Sequence, residues 1–75
     1  MAPTMRKRSI SIGGHSTSIA LEDAFWRELE ALAQARGQSL SALVAEIDRS
    51  RTAPGNLAST LRLFVLKELK RRQND

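Results

Sequence analysis

Three consecutive bases, Arg6-Lys7-Arg8, stand directly before a run in which serine alternates with larger residues, and their type and spacing suit the binding of a polyanion. Residues 1–21 contain no acid, so these three bases give that end a charge of +3. Residues 22–48 carry −4, from Glu22, Asp23, Glu28, Glu30, Glu46 and Asp48 against Arg27 and Arg36. Residues 49–75 carry +5, from seven bases against Glu68 and Asp75. Basic ends thus flank an acidic middle, and the net charge is +4. Nucleic acid fits such ends, because neutralising phosphates releases condensed counterions and supplies affinity that does not depend on sequence. The competing reading is that the basic ends only solvate a small domain.

Other chemistries find little support. His15 is the single imidazole and there is no cysteine, so one chain cannot build a structural zinc site. A metal shared between two His15 side chains would also need carboxylates close by, and no metal site is expected. Serines are plentiful, but one histidine beside a turn and acids on solvent-facing helix positions assemble no triad. No catalytic residue or cofactor is expected, and the chain reads as a non-enzyme.

The elements that must position the bases follow from periodicity. Lys7-Arg8-Ser9-Ile10-Ser11-Ile12 and His15-Ser16-Thr17-Ser18-Ile19-Ala20-Leu21 both alternate, and Gly13-Gly14 lies between them. A glycine pair between two alternating runs signals a two-residue hairpin, because the favoured turn needs positive φ at both positions. Pairing Ile12 with His15 sets Ile10 opposite Thr17 and Arg8 opposite Ile19. Ile10, Ile12, Ile19 and Leu21 then share one face, and Lys7, Ser9, Ser11, Ser16, Ser18 and Ala20 share the other. A single continuous strand would put Ile10 and Ile12 on the face opposite Ile19 and Leu21, because side chains alternate without interruption. The hairpin is preferred to the continuous strand; an arm over Arg6 to Ile12 that finds phosphates on binding is a separate alternative.

The alternation becomes helical almost without a linker at Glu22-Asp23. A first helix is expected over 22–36, with a buried stripe of Phe25, Leu29 and Leu32, Trp26 at its edge, and a stop at Gly37. Ser39 is a suitable N-cap for a second helix over 40–50, in which Leu40, Leu43, Val44 and Ile47 recur at helical spacing. Arg51 to Gly55 reads as a loop. Asn56 caps a third helix over 57–72, with Leu57, Leu61, Phe64, Val65, Leu66 and Leu69 on a wide apolar face and Lys67, Lys70, Arg71 and Arg72 at its basic end. Residues 1–6 are expected to be a flexible arm, and 7–21 the strand or hairpin.

Seventy-five residues make one domain with a marginal core, and without disulfides or a metal the remaining support is a second copy of the chain. Ile19, Leu21, Phe25, Trp26, Leu29, Leu43, Val44, Ile47, Leu61 and Phe64 are the candidate core and dimer-interface residues. The longest apolar run, Leu63 to Leu66, is far too short to span a membrane. A cytoplasmic location is expected.

A strand running straight into a helix, the tight Gly37-x-Ser39-x-Ser41 turn and a second helix together resemble the ribbon-helix-helix proteins, the Arc/MetJ type of small bacterial DNA-binding dimer. Ser18 to Leu21, Phe25 to Gly37 and Ser39 to Ile47 carry this likeness. The wider pattern from Lys7 through Gly14-His15 and Phe25-Trp26 to Leu57–Leu66 is similar to a divergent bacterial subfamily of short ribbon-helix-helix proteins. The resemblance implies an α+β, mostly α fold: a ribbon-helix-helix homodimer with an N-terminal strand or hairpin and an additional C-terminal helix. It implies that two protomers pair strands into an antiparallel ribbon whose outer face enters the major groove. By position, Ser16, Ser18 and Ala20 would face the bases, and the N-terminal amides around Ser39 and Ser41 would hold a phosphate. Arg6, Lys7 and Arg8 would neutralise further phosphates. The expected function is a DNA-binding transcriptional regulator. Short side chains at 16, 18 and 20 lack the paired hydrogen bonds that read bases. That departure favours the alternative, a dimeric interaction module that regulates a partner protein and has lost base readout.

Overall fold

The structure, a computed structural model, describes residues 4–50 and 56–73. Two strands, β1 (Met5–Ile12) and β2 (His15–Glu22), form an antiparallel hairpin. Three helices follow, α1 (Asp23–Ala35), α2 (Leu40–Arg49) and α3 (Leu57–Gln73). The fold is therefore the α+β, mostly helical one expected, with the extra C-terminal helix. The loop assigned to Arg51–Gly55 and the start of the arm, residues 1–3, lie outside the described residues.

The hairpin register is the one that the alternation dictates: Ile12 faces His15, Ile10 faces Thr17 and Arg8 faces Ile19. Gly13 and Gly14 close the turn at φ 57° and 82°, values that an L side chain resists. Pairing extends outward to Met5 and Glu22, so Met5 and Arg6, expected in the arm over 1–6, are part of β1. The cause is local. The Asp23 amide donates to the Thr4 carbonyl at 2.9 Å, and the Trp26 indole N–H donates to the Arg6 carbonyl at 2.8 Å. Two donors from the start of α1 hold the beginning of β1, so Met5 and Arg6 belong to the ribbon.

Helix ends follow their caps. Ser39 Oγ accepts the Ala42 amide at 3.1 Å, and Asn56 Oδ1 accepts the Ser59 amide at 2.8 Å, each satisfying an otherwise orphaned first-turn donor. At the end of α1, Gly37, at φ 68°, donates to the Gln34 carbonyl and Gln38 donates to the Ala33 carbonyl, the paired bonds of a glycine-terminated helix.

One core joins all five elements: Ile10, Ile19, Leu21, Trp26, Leu29, Leu32, Ala33, Leu43, Val44, Ile47, Leu61 and Val65 are buried. Two expectations change here. Trp26, at 1% exposure, is a central core residue, whereas Phe25 is only half-buried at the margin, as is Phe64. Trp26 lies one turn into α1 beneath the hairpin, where its ring fills the core and its N–H still reaches a carbonyl, the arrangement a buried indole needs. On α3, Leu61 and Val65 face inward while Leu63, Leu66 and Leu69 are exposed. The cover for Ile19 and Leu21 comes from β1 and the helices of the same chain, so burial by itself does not call for a second copy.

Charged ties lock α3 against the rest. Arg62 donates to both Glu22 carboxylate oxygens at 2.9 and 3.2 Å and lies 6.0 Å from the Phe25 ring centroid. Glu68 is buried and pairs with Arg36, the residue just after α1, and with Arg71 at 2.9 Å. The Arg62 hydrogen bonds, helped by Glu22's own backbone amide, hold the Glu22 carboxyl below its ordinary value of 4.5. A depressed folded-state pKa stabilises the fold above the ordinary carboxylate range, and that contribution is lost as pH falls through the lowered value. Urea midpoints of wild type and Glu22→Gln should therefore differ most near about pH 6 and converge toward about pH 3. A gap that does not change with pH would remove the assignment.

Candidate nucleic-acid interface

The outer face of the hairpin is assembled from four directly opposed pairs of one parity, Met5 with Glu22 at the open end, then Lys7 with Ala20, Ser9 with Ser18 and Ser11 with Ser16. All of these residues are exposed except Glu22 and Ala20, which are half-buried. The opposite face sinks Ile10, Ile19 and Leu21 into the core, so the polar face cannot rotate without losing that burial. Two-residue periodicity therefore turns a serine-rich sequence into a row of hydroxyls on a fixed support. Among the described residues, no side-chain hydrogen bond engages Ser9, Ser11, Ser16 or Ser18, and no ion pair engages Lys7. Hydroxyls can donate and accept, and Lys7 contributes a mobile positive charge.

The three N-terminal bases do not act as one patch. Lys7 stands on the outer face, while Arg6 and Arg8 share the parity of Ile10 and point to the other. Arg6 lies 3.4 Å from Asp23, which also accepts Arg27 at 3.1 Å. Arg8 pairs with Glu30 and sits with its guanidinium 5.3 Å from the Trp26 ring centroid. Arg6 and Arg8 thus fasten β1 to α1, leaving Lys7 as the unpaired base of the trio. Their partners lie 17 and 22 positions away, and no local sequence pattern announces such pairs.

Ser16, Ser18 and Ala20 are brought together on one face, and Ser39 and Ser41 belong to a different region at the start of α2. Ser39 is exposed but its hydroxyl is spent on the N-cap, while Ser41 is half-buried. Whatever an anion gains at this terminus comes from backbone amides and the positive end of the helix dipole rather than from the Ser39 side chain. Ser9 and Ser11 belong to this face by their parity with Lys7, whereas the family resemblance alone points only to Ser16, Ser18 and Ala20. At the far end of the chain, Lys67, Lys70 and Arg72 are exposed on α3 beyond Leu63 and Leu66, which are 58% and 48% exposed.

Chemically, the ribbon face can donate and accept hydrogen bonds at short range and can neutralise phosphate through Lys7. It carries no guanidinium or amide for a bidentate contact to a base pair. Among the described residues, no group of three His, Asp or Glu side chains is placed to hold a metal ion, and no helix is long and apolar enough to cross a membrane.

A family model described as a ribbon-helix-helix domain matches residues 5–69. Among solved structures, the chain is similar to an uncharacterized protein from Bordetella pertussis Tohama I, with 27% sequence identity and a TM-score of 0.78. That alignment covers 95% of this chain and 60% of the other, so this chain spans less than two thirds of its relative's length. No functionally curated protein matches the sequence.

Proposed function

The chain belongs to the ribbon-helix-helix domain family, and from that premise we propose that it is a homodimeric, cytoplasmic transcriptional regulator that binds duplex DNA through the outer face of its hairpin. The observation that carries this reading is the fixed, exposed face of Lys7, Ser9, Ser11, Ser16 and Ser18, backed by a face that buries Ile10, Ile19 and Leu21. Side chains this short let the backbone approach the floor of the groove, and serine hydroxyls can bond to any base edge. Much of the discrimination then falls to the shape and deformability of the DNA rather than to paired hydrogen bonds. The first-turn amides of α2 are positioned to hold a backbone phosphate, with Ser39 and Ser41 beside it.

Fluorescence anisotropy against a pool of short duplexes, including the DNA upstream of its own gene, tests the proposal at about 50 mM and about 200 mM salt. Retention of one duplex at the higher salt supports sequence-specific binding. Equal, weak binding to every duplex that disappears at the higher salt would sink it. Lys7→Ala should weaken binding to all duplexes alike and reduce the salt slope by about 0.9 for each bound chain. Arg6→Ala and Arg8→Ala should change the slope less, because their charges are already paired with Asp23 and Glu30.

A second reading is favoured by α3, where exposed Leu63, Leu66 and Leu69 adjoin Lys67 and Lys70. This face suits an acidic partner protein with an apolar stripe, and the chain would then regulate that partner without reading DNA. Capture of one stoichiometric protein, with no retained duplex, would select this reading over the first.

A further inference from the structure

We infer that α3 is a homodimer surface: Leu63, Leu66 and Leu69 of one chain seat against the same residues of a second copy, the two α3 helices crossing antiparallel beneath a sheet joined through β2. The inference rests on the homodimer reading and names a surface that the extra C-terminal helix adds to it. It also claims for a second copy the face that the second reading gives to an acidic protein.

Burial singles this face out. Among the described residues, the exposed large apolar side chains are Met5, Leu63, Leu66 and Leu69, so three of the four lie on one helix. At 3.6 residues per turn these leucines fall within about a third of its circumference, outside the stripe of Leu61 and Val65 that faces the core. The inner face of β2 is covered without a second copy, but this strip is left uncovered by its own chain.

The position of the strip names its occupant. Helix α3 packs beneath β2 while α2 packs beneath β1, and Arg62 of α3 reaches Glu22 at the end of β2. Leu66 and Leu69 follow Arg62 one and two turns along the helix, so the strip lies on the same side of the molecule as the outer edge of β2. That edge is unpaired, because the sheet order is β1-β2. The outer edge of β1 is guarded by Arg6, Lys7 and Arg8, whereas β2 carries no Lys or Arg, and charged residues, lysine above all, keep exposed edges from pairing. An open backbone edge above an apolar strip is completed on both levels by a surface of the same kind, which is what a two-fold related copy presents.

The spacings agree. A two-fold axis normal to the sheet beside β2 would hold two β2 strands about 4.8 Å apart and two α3 helices about 8–10 Å apart below them, the separation at which facing side chains interdigitate. Leu66, one residue past the middle of α3, falls nearest the axis. An antiparallel crossing also sends the basic last turns, with Lys70, Arg71 and Arg72, in opposite directions, where a parallel one would set like charges together. Three partly exposed leucines offer much less than the about 800 Å² that a stable interface takes from each partner, so edge and strip act together.

Two measurements on the full chain test this. Sedimentation equilibrium of wild type should give a dimer, and Leu66→Glu, at a position already 48% exposed, should raise its dissociation constant about tenfold or more with an unchanged circular dichroism spectrum. Because the chain has no cysteine, Leu66→Cys provides a single thiol, and Ser9→Cys on exposed β1 provides a control. Maleimide labelling of Leu66→Cys should slow several-fold as the protein is concentrated from monomer to dimer, while Ser9→Cys labels at one rate throughout. A wild-type dimer in which Leu66→Glu leaves the constant unchanged, or in which Leu66→Cys labels at one rate at every concentration, would overturn the inference, leave the homodimer reading standing and return the face to a protein partner. A wild type that stays monomeric up to about millimolar concentration would overturn both.

Discussion

Trp26→Ala should lower the unfolding free energy by about 3–5 kcal/mol, the range found when large buried aromatic side chains are truncated. Three losses coincide at this residue. Its ring is 1% exposed in the centre of the core, its indole N–H donates to the Arg6 carbonyl at 2.8 Å, and its face carries the Arg8 guanidinium. A domain of this size has a total stability of only about 4–11 kcal/mol, so the variant should be largely unfolded at modest urea concentrations. Trp26→Phe separates the contributions, because it keeps an aromatic ring but removes the donor. It should cost about 1–3 kcal/mol, partly from the carbonyl bond and partly from the smaller ring. Equilibrium urea unfolding followed by circular dichroism reads both. If Trp26→Ala lay within about 1 kcal/mol of wild type, below the cost of truncating a large buried side chain to alanine, the placement of this ring in the core would be wrong.

The second large effect should come from the turn. Replacing Gly13 and Gly14 together by alanine should cost about 2–4 kcal/mol, since each left-handed position penalises an L side chain by about 1–2 kcal/mol. A Cβ at either position meets no atom within 4 Å, so crowding contributes nothing and the cost is confined to the backbone at φ 57° and 82°. Asparagine tolerates the left-handed region better than other residues, so Gly13→Asn alone should be nearly silent. The readouts are the urea midpoint and the anisotropy of the duplex retained by wild type, and both should fall in the double alanine variant. If instead stability were unchanged, the chain would not be making this turn.

Much of the fold is legible in the sequence, because the rules that set it are local. Gly13-Gly14 and the parity of Ile10, Ile12, Ile19 and Leu21 are enough to write the hairpin register, and Ser39 and Asn56 mark two helix starts. The α1 stripe is harder to read. Phe25, Leu29 and Leu32 have helical spacing, but so do Trp26, Leu29 and Ala33, and periodicity cannot choose between overlapping stripes. The choice is made by the hairpin above α1, which offers the indole a carbonyl. On α3, apolar residues occur around most of the helix, so Leu61 and Val65 cannot be distinguished from Leu63 and Leu66 without knowing what packs alongside. At the candidate interface, the face of each serine follows from parity, but the state of each base does not. Arg6, Lys7 and Arg8 look alike in sequence, and only Asp23 and Glu30, contributed by α1, separate the two tethered bases from the free one.

The two kinds of tie also differ in how soon a folding chain can make them. Opposed residues in the hairpin are between 3 and 17 positions apart, so closing them forfeits little chain entropy, and a ribbon of this kind forms on the timescale of microseconds. The bonds of α3 bridge 32 positions from Arg36 to Glu68 and 40 from Glu22 to Arg62, and they require the intervening chain to be ordered first. The C-terminal helix is therefore expected to dock late and to open first, an order that native-state hydrogen exchange would read as weaker amide protection in α3 than in the hairpin. Its departure uncovers Leu61 and Val65 while the hairpin remains closed by its own turn, so this molecule can expose apolar surface at one end without giving up its ribbon at the other.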